Sequence, residues 1–175
     1  MFKFMVAEMD ELIKIGALNL EDLEINRSGE FSERQKSSLK FWIGFWFVLA
    51  GIEIAILVGH VAFQIFYLRS WFIGLAISIA LILLAYMNIE NAKPFQKDLL
   101  NNKVKTASGK LFKLFSMARI GKSGKIWNCS IRVDEQVFSV SPAIYDVVVQ
   151  NEGYRLYYAP HSRKLINIEP LYKER

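Results

Sequence analysis

At 175 residues, with one cysteine and two histidines, the chain excludes an intrachain disulfide and a Cys/His metal cluster. Its hydrophobic share of 53% exceeds the ~45–50% of soluble domains, and the excess is concentrated in residues 41–89, where Glu53 and Arg69 are the only formal charges. The net charge of +5 hides an asymmetry: −2 over residues 1–40, −1 over 41–90 and +8 over 91–175.

Residues 1–32 read as an amphipathic N-terminal segment on the cytoplasmic side. Phe2, Met5, Met9, Leu12 and Ile13 recur at helical spacing, with Glu8, Asp10, Glu11 and Lys14 on the other face. A helix this short needs a packing partner. The C-terminal domain or a second copy would serve better than anionic lipid, which repels an acidic face. The segment lacks the continuous apolar core of a signal peptide. A second short helix is expected over 20–25, ended by the turn Asn26-Arg27-Ser28-Gly29. Ser32 with Gln35 three residues on is a capping-box pattern, so the next helix should begin near Glu33.

That helix continues into residues 41–65, and a second apolar run covers 71–89. Each is close to the ~20 residues that cross ~30 Å of hydrocarbon. The expectation is a transmembrane helical hairpin over 33–90. Trp42, Trp46, Tyr67 and Trp71 suit interfacial aromatic belts, and the basic flanks place both termini in the cytoplasm of a bacterial inner membrane, with the turn at Arg69 outside. Residues 91–102 read as a linker in which Pro94 stops or kinks the helix.

From 103 to 172 the pattern changes to β, again on the cytoplasmic side. A strand over 103–114, with Gly109 a candidate bulge, precedes the turn Gly121-Lys122-Ser123-Gly124. Residues 126–133 then alternate cleanly, with Trp127, Cys129, Ile131 and Val133 inward. After Asp134-Glu135, Phe138 and Val140 resume the inward face. Ser141-Pro142 starts a short helix. Tyr154, Leu156 and Tyr158 define the next strand and residues 164–168 the last. Three strands, a short helix and two strands fit a small five-stranded antiparallel β-barrel of OB-like type, with an SH3-like barrel as the alternative. The expected fold class is therefore an α+β membrane protein: a transmembrane helical hairpin followed by that barrel.

The runs YRLYYAPHS (154–162) and IEPL (168–171), with LEINRSG (23–29) before Ser32 and Gln35, resemble segments of a group of small bacterial membrane proteins. Those proteins pair two spans with a compact C-terminal β domain. The resemblance implies that architecture and carries no activity.

Glu53 and His60 are the sharpest single residues. A carboxylate at that depth should face protein or be protonated, and His60 lies seven residues on along nearly the same face. A hairpin turning near 68–69 sets up Glu53–Tyr86 and His60–Ser78 hydrogen bonds as interhelical glue, each worth ~0.6 kcal/mol and up to ~1.7. A proton or ion relay through Glu53 and His60 is the rival reading and needs an oligomer. Gly44, Gly51 and Gly59, with Gly74, Ala76, Ser78 and Ala80, offer small surfaces for close helix approach, within the hairpin ahead of a homodimer.

Lys110, Lys113, Arg119, Lys122, Lys125, Arg132, Arg155, Arg163 and Lys164 make the β domain basic, interleaved with Phe112, Trp127, Tyr154 and Tyr157. Attraction to anionic head groups accounts for this more simply than a stacking groove for nucleic acid. The run Gly121-Lys122-Ser123-Gly124-Lys125 lacks the spacing of a phosphate loop. His161-Ser162 has no third orienting acid nearby in sequence. The functional expectation is a non-catalytic, membrane-anchored interaction or scaffold module without cofactor. Its partners would be the bilayer, a protein and in some assemblies a second copy. The alternative is a small oligomeric transport or conductance accessory.

Overall fold

The computed structural model describes residues 2–67, 71–120 and 124–171. The chain forms two compact units. One joins residues 1–35 to residues 102–175, and the other is residues 36–101.

In the first unit, α1 (Phe2–Lys14) and α2 (Leu20–Arg27) each end in a glycine with positive φ, Gly16 at +71° and Gly29 at +87°. The Ala17 amide reaches back to the Leu12 carbonyl at 2.9 Å, and the Gly16 amide to Ile13 at 3.0 Å. This reverse closure satisfies the last helical carbonyls, and it needs the left-handed conformation that glycine adopts without a Cβ penalty. Asn19 caps α2 by accepting the Asp22 amide at 3.0 Å.

The sheet contains β1 (Lys105–Ile120), β2 (Gly124–Val133), β3 (Gln136–Ser139), β4 (Gly153–Tyr158) and β5 (Leu165–Pro170), all antiparallel, in the order β3-β2-β1-β4-β5. The helix α5 (Pro142–Val147) lies between β3 and β4 in sequence, its first turn capped by Ser141 as the Ser-Pro pair predicts. The order of elements matches the sequence reading; the expected barrel does not form, whether OB-like or SH3-like. The sheet stays open, with β3 and β5 as its edges. The edge problem is solved another way: the Ile168 amide of β5 donates to the Ala17 carbonyl at 3.1 Å, so the α1–α2 connection covers that edge in place of another strand.

β1 is longer than its sequence pattern suggests. It runs straight through Gly109, which sits in regular register opposite Tyr154 rather than at a bulge. Its first part, 105–110, pairs with β4, and its second, 111–120, with β2. Leu111, Ile131, Val133, Phe138, Leu156 and Ile168 form the core face. Tyr157, one residue on from Leu156 and so on the other face of β4, is fully buried as well.

The second unit is a helical hairpin of α3 (Glu33–Tyr67, whose first turn lies in the other unit) and α4 (Trp71–Asn101). Both helices are long and apolar enough to span a membrane. Pro94, expected to stop or kink α4, lies inside it, and the helix runs on to Asn101. A proline costs the helix one amide donor, and intact turns flank it here on both sides. The expected outer turn at Arg69 and the loop Gly121-Lys122-Ser123 lie outside the described residues.

Candidate functional site

Burial along the hairpin is periodic. On α3 the less exposed positions include Trp46, Ala50, Glu53, Leu57, His60 and Gln64, and on α4 they include Gly74, Ser78, Leu81, Ala85, Asn88 and Ala92. Steps of three and four alternate, the 3.5-residue spacing of two helices that keep one seam in contact. Trp42 stacks on Phe95 with ring centroids 6.2 Å apart, and a Cβ on Gly74 would collide with the Gln64 side chain. The polar side chains Glu53, His60, Gln64, Ser78 and Asn88 all fall on this seam. The remaining faces are bare and apolar: Phe47, Val48, Ile52, Ile56, Val58, Ile79, Ile82 and Leu83 are exposed. Only 6% and 11% of the most apolar windows of the two helices are buried.

Glu53 does find an interhelical partner, but not Tyr86. Asn88 Nδ2 donates to Glu53 Oε2 at 2.8 Å. Tyr86 is 60% exposed and points away from α3, whereas Ala85 and Asn88, three residues apart, share the facing stripe. The expected His60–Ser78 bond is also not formed: His60 Nε2 is buried and has no hydrogen-bond partner among the described residues, like Trp46 Nε1 on the same seam. Matching residues by distance from the turn takes no account of the angle of each about the helix axis. Gly44, Gly51 and Gly59 do not take the role expected of them between the two helices of the hairpin. They lie off the seam, exposed, with nothing within 4 Å of where a Cβ would stand. Of the small residues expected to bring the helices together, Gly74 and Ser78 lie on the seam, and Gly74 is in close contact with Gln64.

The β unit holds a second polar constellation, built of amides. The Asn167 side chain, 1% exposed, accepts from the Asn19 amide at 3.2 Å and donates to the Asn19 carbonyl at 3.0 Å, as a neighbouring strand would. Asn26 and Gln35 exchange a reciprocal amide pair at 2.8 and 2.9 Å. Gln35 also closes the capping box, accepting the Ser32 amide at 3.0 Å while its own amide donates to Ser32 Oγ at 3.2 Å. These contacts tie α2, β5 and the first turn of α3 together. Only the Ser32–Gln35 half of this network had a sequence signature.

Charged groups of the β unit are largely engaged with one another. Arg27 pairs with Glu169, which also accepts from the Tyr157 hydroxyl at 2.6 Å and lies 3.7 Å from Arg155 Nη1. Burial alone would raise the Glu169 pKa, but the hydrogen bonds from Arg27 and Tyr157 hold it below the usual carboxylate range. Glu8, on α1, behaves oppositely: burial of its carboxyl pushes it up, partly offset by the hydrogen bond it accepts from Tyr154. The Tyr154 hydroxyl in turn accepts the Val149 amide at 2.8 Å.

The described members of the predicted basic set make separate local contacts. Lys113 donates to the Asp146 carbonyl at 3.4 Å and lies 5.0 Å from the Tyr145 ring centroid; Arg132 stands 5.1 Å from that of Phe112. Arg155 joins Glu169 and Ser108. Lys110 and Arg163 are exposed, and Lys164 is half-buried, its pKa lowered by that burial. The side chains of Arg119, Lys122 and Lys125, and that of Trp127, lie outside the described residues. Among the described residues no group of three or more His, Cys, Asp or Glu is placed to hold a metal ion.

Set against known proteins, the chain matches no family model, no curated protein and no solved structure.

Proposed function

We propose that the chain is a membrane-anchored, non-catalytic interaction or scaffold module. The hairpin sits in a bacterial inner membrane with both termini cytoplasmic, and the basic β unit is presented at the membrane surface to a protein partner. One observation carries the reading. Five polar side chains, Glu53, His60, Gln64, Ser78 and Asn88, occupy the seam while the outer faces remain apolar. Water as solvent favours the reverse arrangement, since bare apolar area costs about 25 cal/mol per Å². Lipid favours this one, because polar groups are expensive on its side. Mutual engagement of Arg27, Glu169, Arg155, Glu8 and Tyr154 supports a binding surface over a reaction centre. Alkaline carbonate extraction of cell membranes, followed by gentle-detergent co-purification, tests both halves. Retention in the membrane with a stoichiometric protein partner is expected; release into the carbonate supernatant would refute the anchoring.

The free Nε2 of His60, one helical heptad from Glu53, favours a second reading: an oligomeric conductance accessory whose seam opens to ions. Cation flux into vesicles containing the purified protein, abolished by Glu53→Gln, would select it over the scaffold.

A further inference from the structure

The sheet of the β unit carries helices on both faces, but on one face the cover stops partway. The inner face, with Leu111, Ile131 and Leu156, meets α1 where Tyr154 bonds to Glu8, and α5 where Tyr145 lies against Phe115. The outer face presents Arg155 and Tyr157 of β4 and, opposite them, Glu169 and Asn167 of β5. There α2 lies over it: Asn167 donates to Asn26 Oδ1 at 3.5 Å, and Arg27 pairs with Glu169.

Across β1, β2 and β3 the same outer face is open. The register sets its rows: Phe112, Arg132 and Val137 stand side by side, then Leu114, Ser130 and Ser139. Arg132 stands over the Phe112 ring, while Leu114 and Val137 are 37% and 49% exposed. Lys110 joins them on the outer side of β1, exposed. None of the described side chains on this part of the face is acidic, and Asp134 and Glu135 lie in the turn at its margin. The open part is a basic and apolar shelf.

α2 presents the opposite character. Its buried side is Asp22, Leu23 and Asn26, and Leu20, Glu21, Glu24 and Ile25 are exposed. An acidic and apolar ridge therefore stands beside the shelf on one face. Three strands are about 14 Å wide and a helix about 10 Å across, so the shelf admits one helix. Laying two copies outer face to outer face, about a two-fold axis along the boundary between ridge and shelf, sets each α2 on the other's β1–β3. The same patch serves both copies, so the contact closes at a dimer. Opposite charges meet in both of its halves.

We propose that the β unit pairs with a second copy of this chain, the α2 helix of each lying on the outer face of β1–β3 of the other. This pairing rests on the interaction reading above and names its partner; the anchoring is tested apart, by carbonate extraction. The full-length chain in phosphatidylcholine vesicles provides the test, with dimer read as energy transfer between donor- and acceptor-labelled copies. Glu24→Arg and Arg132→Glu should each weaken the dimer about tenfold. Mixing the two variants, or combining both changes in one chain, should restore it, since opposite charges then meet again. Arg163→Glu, the same change of charge in the β4–β5 turn, should leave it unaltered. In a Cys129→Ala background, a flexible bismaleimide should bridge Glu21→Cys of one copy to Ser139→Cys of another, and not to Val149→Cys, which is exposed but lies off the shelf.

Single variants that pair like the parent, or bridging to position 149 equal to that at 139, overturn the pairing. Bridging to 139 that is lost when phosphatidylglycerol enters the vesicles would overturn it in favour of anionic lipid. A monomeric chain that retains a different protein in stoichiometric amount would overturn it and leave the interaction reading intact.

Discussion

Asn88 is the residue on which the polar seam can be tested most sharply. Leucine there removes the 2.8 Å bond to Glu53 and leaves the carboxylate facing an apolar side chain of similar volume. Hydrogen bonds between helices in bilayers average ~0.6 kcal/mol and reach ~1.7. The Asn88–Glu53 coupling should fall within that range, at about 1 kcal/mol. A double-mutant cycle of Glu53→Leu, Asn88→Leu and the pair isolates it. SDS titration in mixed micelles provides the assay, followed by the fluorescence of Trp42, which stacks on Phe95 across the hairpin. Each single change should lower the midpoint, the pair by less than the sum. Full additivity within the ~0.3–0.5 kcal/mol scatter of independent sites would refute the view that this contact holds the helices in register.

Asn167→Ala should destabilise the β unit by about 1–3 kcal/mol, because the Asn19 amide and carbonyl lose their partners in a buried setting; thermal melts of the detergent-solubilised chain measure it. Gly74→Leu should disrupt the hairpin, where its side chain meets Gln64, whereas Gly51→Leu, pointing into open space, should leave the same SDS midpoint unchanged. Two carboxylates give opposite pH behaviour. Glu169 is held low by its partners, so its contribution is present above the ordinary carboxylate pKa and lost as pH falls through the depressed value; Glu169→Gln should flatten the acid limb of a pH–stability curve. Glu8 is raised by burial, so the docking it supports is complete in acid and weakens as pH rises through the raised value. Proteolysis within α1 should therefore increase on going from acid to neutral pH, and Glu8→Gln should remove the increase.

What could be read from the residues, and what could not, divides along a physical line. Local patterns carried through: the Ser32–Gln35 box, the Ser141-Pro142 helix start, the alternation at Cys129, Ile131 and Val133, and the two long apolar helices. Each depends on neighbours a few positions away. Features set by tertiary rotation or by distant chain did not. Asn88 replaced Tyr86 because the facing stripe of α4 is fixed by how the two helices rotate against each other, which linear distance from the turn leaves open. The sheet stayed open because its β5 edge is covered by Ala17, about 150 residues away, and no strand-count argument sees such a partner. The amide network through Asn19, Asn26 and Asn167 was invisible for the same reason, since single asparagines in a turn and a strand announce nothing.

The junction between Ala17 and Ile168 bears on how the protein is made. The head is assembled from the first and last parts of the chain, with the whole hairpin inserted between them. A ribosome releases the opening helices long before the strand they must cover exists. Those helices therefore wait, and the head closes only after the greasy segment has left the translation machinery. A tail fragment expressed without the opening 35 residues would expose a bare strand margin and should self-associate.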